Sequence, residues 1–286
     1  MKPIMDWGTY NTFYTLTKAR LLGIRLTEIP PGDFMRRDRG EEYFIKYAQD
    51  AKPAFTTITA HGPYYDIRDK EGLKAHISAI KKAEKAGAEV YNIHMGRVRE
   101  DREKDLEAIT KSIEKLLDES KKIVITLETA YSPKSLGSIE DIRAVLEMLE
   151  SERVGISLQL ENDFIRELKV YESGDFHRAD EKADEHFWRK ILENAHDLFS
   201  RYVSLRFSQV TGIRRRAHFL KKRTPLGMGY PNVEPLSRAL AHFITDVFNE
   251  GLGKEIHVIY TGPPETKYRD TLLLYYHITK EIANYI

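Results

Sequence analysis

Short runs rich in β-branched and aromatic residues alternate with amphipathic helical patterns from one end of the chain to the other. A chain punctuated in this way builds repeated βα units around a parallel sheet. The runs fall near Lys2–Trp7, Ile24–Ile29, Thr56–His61, Glu89–His94, Ile123–Glu128, Gly155–Gln159, Tyr202–Phe207 and Glu255–Tyr260. Between them, Leu73, Ile77, Ile80 and Ala83 share one helical face ahead of Gly87, and Leu106, Ile109, Ile113 and Leu116 form a second. Further helices are expected near Thr12–Leu22, Ile139–Leu149, Asp184–Phe199, Pro235–Asn249 and Lys267–Asn284. Eight such units with no Pro-, Gly- or Ser-rich linker predict one closed (β/α)8 TIM barrel, a single domain over residues 1–286. An open doubly wound sheet is the alternative that pattern alone leaves standing.

Two connections are longer than a barrel needs: Pro30–Gln49, with Arg36, Arg37 and Arg39, and Val210–Asn232. Long βα loops sit on the C-terminal face of this fold, where its active sites are found. The net charge of +1 hides an asymmetry, because no acid lies between Asp197 and Glu234 while Arg201, Arg206, Arg214, Arg215, Arg216, Lys221, Lys222 and Arg223 do. That interval is a candidate polyanion surface. No stretch approaches the roughly 20 apolar residues of a membrane span, and the start lacks a secretion pattern, so a cytoplasmic protein is expected. The chain has no cysteine. Disulfides and thiolate nucleophiles are thereby excluded, and any metal must be held by His, Asp or Glu.

Three consecutive strand ends carry side chains that can do so: His61 after Thr57-Ile58-Thr59-Ala60, His94 after Tyr91-Asn92-Ile93, and Glu128 after Ile125-Thr126-Leu127. Neighbouring strands run roughly 4.8 Å apart, so the three termini can converge. Two imidazoles and a carboxylate are the ligand set of many catalytic zinc sites, with Glu128 the candidate catalytic carboxylate. Tyr14, Tyr64, Tyr65, Tyr131 and Tyr230 fall near expected rim loops and could stack on bases or sugars. Asp175, His177 and His186 are a minor candidate for an extra site.

His61-Gly62-Pro63-Tyr64, Asn92-Ile93-His94-Met95-Gly96 and Leu127-Glu128-Thr129-Ala130 resemble motifs of the endonuclease IV family of apurinic/apyrimidinic endonucleases, within the xylose-isomerase-like barrels. The resemblance implies DNA repair chemistry: cleavage 5′ to an abasic site by a three-zinc centre, with the nucleotide flipped out. It places His61 and His94 on one metal, Glu128 bridging to a second, Tyr64 on DNA, and Arg36, Arg37 and Arg39 at the minor groove.

The second half departs from that pattern. Where the family has an Asp and a His, this chain has Gln159 and Asn162; Arg206 falls in the seventh strand's motif, which there contains a His; and Lys221-Lys222-Arg223 stands for Asp-Arg-His. The expected centre therefore holds fewer than three ions, zinc or manganese. Gln159, Glu161 and Asn162 are possible substitute ligands, and Asp163, His218 and Glu265 enter only by a shift of register. Arg206, Lys221 and Arg223 are candidates to clamp a phosphate in place of metal. These features predict a monomeric metal-dependent phosphodiester hydrolase acting on abasic or damaged DNA. The alternatives are a sugar isomerase or epimerase of the same superfamily, a phosphorylated small molecule as ligand, or a non-catalytic nucleic-acid binder.

Overall fold

The computed structural model describes residues 5–172, 174–215, 218–251 and 253–285, and no side chain at 213–219. In chain order the strands are β1 (Met5–Tyr10), β2 (Leu26–Ile29), β3 (Thr57–His61), β4 (Val90–His94), β5 (Val124–Glu128), β6 (Val154–Gln159), β7 (Tyr202–Phe207), β8 (Gln209–Arg215), β9 (His218–Thr224) and β10 (Glu255–Tyr260). Eight of them close a parallel barrel in the order β1, β10, β7, β6, β5, β4, β3, β2, while β8 and β9 pair with each other in a separate antiparallel ribbon. The open doubly wound sheet is thereby ruled out. No helix among the described residues is long and apolar enough to cross a membrane.

Strand alternation sorts the side chains into two environments. Ile58, Ala60, Tyr91, Ile93, Ile125, Leu127, Ile156, Leu158, Val203 and Leu205 join the main apolar core, together with the buried faces of the surrounding helices. The intervening positions are mostly polar and hydrogen-bond across the lumen: Thr57 to Asp6 at 2.7 Å, Thr126 to Asn92 at 3.0 Å, and Ser157 with Ser204 at 2.9 Å. Inside, Val90, Val124 and Tyr202 form a small apolar cluster of their own. The barrel is thus oily outside its wall and mostly polar within.

Several sequence expectations are corrected. The first strand is Met5–Tyr10, and residues 2–4 of the expected Lys2–Trp7 lie outside the described residues. The connection Pro30–Gln49 is not a bare loop: α2 (Pro31–Met35) and α3 (Glu41–Ala51) occupy most of it, because Phe44, Tyr47, Ala48 and Ala51 are buried on one side. The expected Thr12–Leu22 helix shrinks to a 3-10 turn and α1 (Leu16–Leu21). After β6 the chain forms α7 (Leu160–Glu167), α8 (Asp175–Asp180) and α9 (Glu185–Ala195), where the pattern predicts one helix. The long Val210–Asn232 connection is the β8–β9 ribbon, whose Arg216 lies outside the described residues. The helices α4 (Lys70–Lys85), α5 (Arg102–Glu119), α6 (Ile139–Leu149), α10 (Val233–Asn249) and α11 (Lys267–Tyr285) stand close to where periodicity puts them.

The turn after β3 is braced from below. A Cβ at Gly62 would meet the Tyr91 hydroxyl at 2.8 Å and the His76 ring at 3.1 Å, so only glycine lets the chain pass this close. His76, on α4, is fully buried, with Nε2 3.0 Å from the Tyr65 carbonyl and Nδ1 3.0 Å from the Tyr91 hydroxyl. Burial pushes its pKa down to about 4. A histidine with a depressed folded pKa contributes stability that is present above the unfolded value and is lost as pH falls toward the folded one. In urea titrations, lowering the pH from about 7 to about 5 should therefore cost the wild type about 2 kcal/mol more than His76→Gln. Equal losses in the two proteins would show that His76 is not the group responsible.

Candidate metal centre

His61, His94 and Glu128 end adjacent strands, and the ladder sets His61 beside Asn92 and His94 beside Glu128. Their ligand atoms all lie within 4.8 Å of one another. His61 Nε2 is 3.3 Å from Glu128 Oε2, and His94 Nδ1 is 3.6 Å from Glu128 Oε1. His61 Nδ1 sits 2.8 Å from the Gly62 carbonyl, which can only accept, so the neutral ring carries its proton there and turns the bare Nε2 toward the carboxylate. Lone pair faces lone pair, an arrangement that a cation between them satisfies. Thr59 Oγ1, two residues before His61 on the same strand, is buried with no hydrogen-bond partner among the described residues. The donor set fits a divalent ion.

Electrostatics point the same way. About a third of the His94 side chain stays exposed. Burial nevertheless pushes its pKa down to about 4 against the pull of Glu128, leaving the ring neutral and able to donate a lone pair at neutral pH. For Glu128, burial alone would raise the pKa, but the charge His94 carries when protonated, the permanent charge of Arg206 and the proton His61 can offer hold it well below the usual carboxylate range. Tyr64, 62% exposed, stacks on His94 with centroids 5.3 Å apart and leans on His61 at 5.4 Å, roofing the triad.

The remaining sequence-derived candidates divide sharply. Arg206, expected as a phosphate clamp, is a buried bridge. It is bidentate to Glu28 at 2.5 and 2.9 Å, and its Nε lies 3.1 Å from Glu128 and 3.2 Å from Gln159. Gln159, Glu161 and Asn162, the possible substitute ligands, are spent on hydrogen bonds instead. Gln159 Nε2 donates to Glu161 at 2.6 Å and Thr261 at 2.9 Å, Ser208 donates to Glu161, and Asn162 donates to the Thr129 carbonyl. Lys221 descends from β9 to pair with Glu161 at 3.2 Å and to donate to Asn162. Burial would raise the Glu161 pKa, yet Lys221 and Arg223 keep it low. Among the described residues the triad is the one cluster of metal-competent groups, so a second centre at these positions is not supported.

Arg223 is exposed and makes no ion pair among the described residues, although Tyr10, Tyr64 and Glu161 lie within its field. Arg36 pairs with Asp38 at the surface and Arg39 is buried against Asp33, while Arg37 is exposed; none of the three touches the triad. Tyr131 lies under Lys221, whose Nζ is 5.4 Å from the ring. Asp175 pairs with Arg178 and His177 with Glu181, so the minor site after β6 is a solvated helix face.

Sequence reasoning missed Glu28 and the role of Asn92, whose Nδ2 donates to Glu128 Oε2 at 2.5 Å. The available signal was a lone charge in the otherwise uncharged strand Leu26–Ile29, whose Glu28 stands beside Thr59, two residues before His61.

Removing Lys221 leaves the fully buried Glu161 carboxylate without its ammonium, so Lys221→Ala should cost about 3 kcal/mol in urea denaturation. Arg223→Ala, at an exposed position with no ion pair among the described residues, should change stability by under about 0.5 kcal/mol. A Lys221→Ala protein as stable as the wild type would contradict this account of the pair.

The chain matches the xylose isomerase-like TIM barrel family over residues 16–272. An uncharacterized protein of Methanocaldococcus jannaschii is 42% identical over 281 residues, covering 97% of this chain and 90% of its own length. Among solved structures, a D-tagatose 3-epimerase-like protein superposes with a TM-score of 0.70 at 13% identity, covering 99% of this chain and 100% of that one. Endonuclease IV of Thermus thermophilus does so with a TM-score of 0.64 at 11% identity, covering 97% and 100%. Likeness at such identity speaks for fold alone, and these two neighbours carry different chemistries on it. Eight parallel strands in a closed barrel, polar at one mouth, and a family match spanning nearly the whole length lead to one assignment: this chain belongs to the xylose isomerase-like TIM barrel family.

Proposed function

We propose that this protein is a cytoplasmic, monomeric, metal-dependent phosphodiester hydrolase that acts on DNA at abasic or otherwise damaged sites and uses one divalent ion, zinc before manganese. The observation that carries the reading is a two-imidazole, one-carboxylate set in the barrel mouth into which strand β9 of the basic ribbon sends Lys221. A divalent ion held by His61, His94 and Glu128 would act as a Lewis acid on a phosphoryl oxygen and supply a nucleophile at neutral pH. The exposed Lys222 and Arg223 are available to phosphate groups, and the Tyr64 ring offers a stacking face for a base or deoxyribose beside the triad. Arg206 keeps the Glu128 carboxylate ionised, and Lys221 does the same for Glu161.

A sugar isomerase or epimerase reading is weaker here. It calls for several carboxylates on the metal, and Glu28 and Glu161 are already committed to Arg206 and Lys221. A phosphorylated small molecule would meet the same cations, but it would have no use for a ribbon of this length.

The test is metal analysis of the purified protein, followed by incision of an end-labelled duplex containing a single abasic site. The expected result is one equivalent of zinc, incision beside the abasic site, and roughly a hundredfold or greater loss in Glu128→Gln. Affinity for the duplex should fall by orders of magnitude between about 50 and about 200 mM salt. Binding without incision under any divalent metal would make the chain a non-catalytic nucleic-acid binder, and salt-independent turnover of a ketose would make it an epimerase.

A further inference from the structure

Three carboxylates are buried at the barrel mouth, Glu28, Glu128 and Glu161, and two cations are built in among them, Arg206 and Lys221. Lys221 answers Glu161. Arg206 answers two acids at once: its NH1 and NH2 hold both oxygens of Glu28, and its Nε reaches Glu128 Oε2. That same oxygen accepts from Asn92. Oε2 thus has the Asn92 amide and the positive charge of the Arg206 guanidinium against it, whereas no donor among the described residues reaches Oε1, which lies 3.6 Å from His94 Nδ1. Glu28 makes no other hydrogen bond through its carboxylate among the described residues, so its role is read from the guanidinium it grips.

We propose that Glu28 is a positioning residue: by clamping Arg206 it sets the guanidinium as a resident counter-ion against Glu128 Oε2, leaves Oε1 as the oxygen without a protein donor, and restricts the mouth to a single divalent ion. The inference rests on the reading of the triad as a metal site, but it does not need the substrate to be DNA. Charge counting explains the restriction. Glu28, Arg206 and Glu128 together carry one negative charge, enough to welcome one divalent ion. With Arg206 absent they would carry two, spread over carboxylates that face one another across the vacated space.

The experiment is equilibrium dialysis of the full-length protein against Zn2+ or Mn2+, with Co2+ absorption as a second reading of coordination. The wild type should bind one equivalent, Arg206→Gln two, and the double variant Glu28→Gln/Arg206→Gln one again. Glu28→Gln alone leaves Arg206 undivided on Glu128, and its affinity for the single ion should fall about 10- to 100-fold with an altered Co2+ spectrum. Arg206→Lys, which keeps the charge, should stay at one equivalent. If Arg206→Gln fails to fold, Glu28→Gln carries the test.

One equivalent in Arg206→Gln, or unchanged affinity and spectrum in Glu28→Gln, overturns the inference. A wild type that binds no divalent ion removes both this inference and the metal-dependent function. A wild type that binds one ion, with variants behaving as stated but no incision of abasic DNA, removes only the proposed substrate.

Discussion

The ladder between β1 and β10, running from Met5 opposite Ile256 to Thr9 opposite Tyr260, joins strands from the two ends of the chain and closes the sheet on itself. Closure leaves no strand edge to satisfy, and it ties the register of every strand to that of its neighbours. The strand ends therefore meet at a common level: His94 stands beside Glu128 and Gln159 beside Arg206 because hydrogen-bonded ladders place them there. A slip of one residue in any of these ladders would turn a polar side chain from the lumen into the apolar layer under the helices.

Within that frame the mouth is governed by charge balance. Buried carboxylates are costly unless they are matched, and here each is matched by a specific partner. Arg206 joins Glu28 to Glu128, Lys221 satisfies Glu161, and Gln159 links the two groups by hydrogen bonds to both. The network leaves the free lone pairs of His61, His94 and Glu128 converging on one point. A chain that keeps a two-imidazole, one-carboxylate corner while filling the adjoining space with its own cations is suited to one ion, and its charge leaves a net demand for an anionic ligand.

How much of this is legible in the residues depends on the range of the interaction. His61, His94 and Glu128 each stand at the end of a β-rich run, so periodicity alone places them at one face of the barrel. Arg206 is legible as a residue but looks free in the sequence, since its partner Glu28 lies 178 positions away and nothing local to either marks the pair. The basic interval after Asp197 is visible as charge, whereas its folding into a ribbon that lowers Lys221 onto Glu161 depends on cross-strand pairing and on a helix that starts at the end of β6. In the Pro30–Gln49 segment α2 is only five residues long, too short to show a period, whereas the spacing of Phe44, Tyr47, Ala48 and Ala51 makes α3 legible as a helix from the residues alone.

Local pattern, then, determined the alternation of strand and helix, the closed-barrel class, the chemistry open to a cysteine-free chain and the three side chains able to gather a metal. Tertiary structure alone decided which cations are spent and which remain available, because ion pairing in a barrel is set by inter-strand register across long sequence separations. It likewise decided that the second half of the mouth is a salt-bridged network and not a further set of metal ligands, since a buried guanidinium or ammonium takes the position of least electrostatic cost only once all its neighbours are assembled around it.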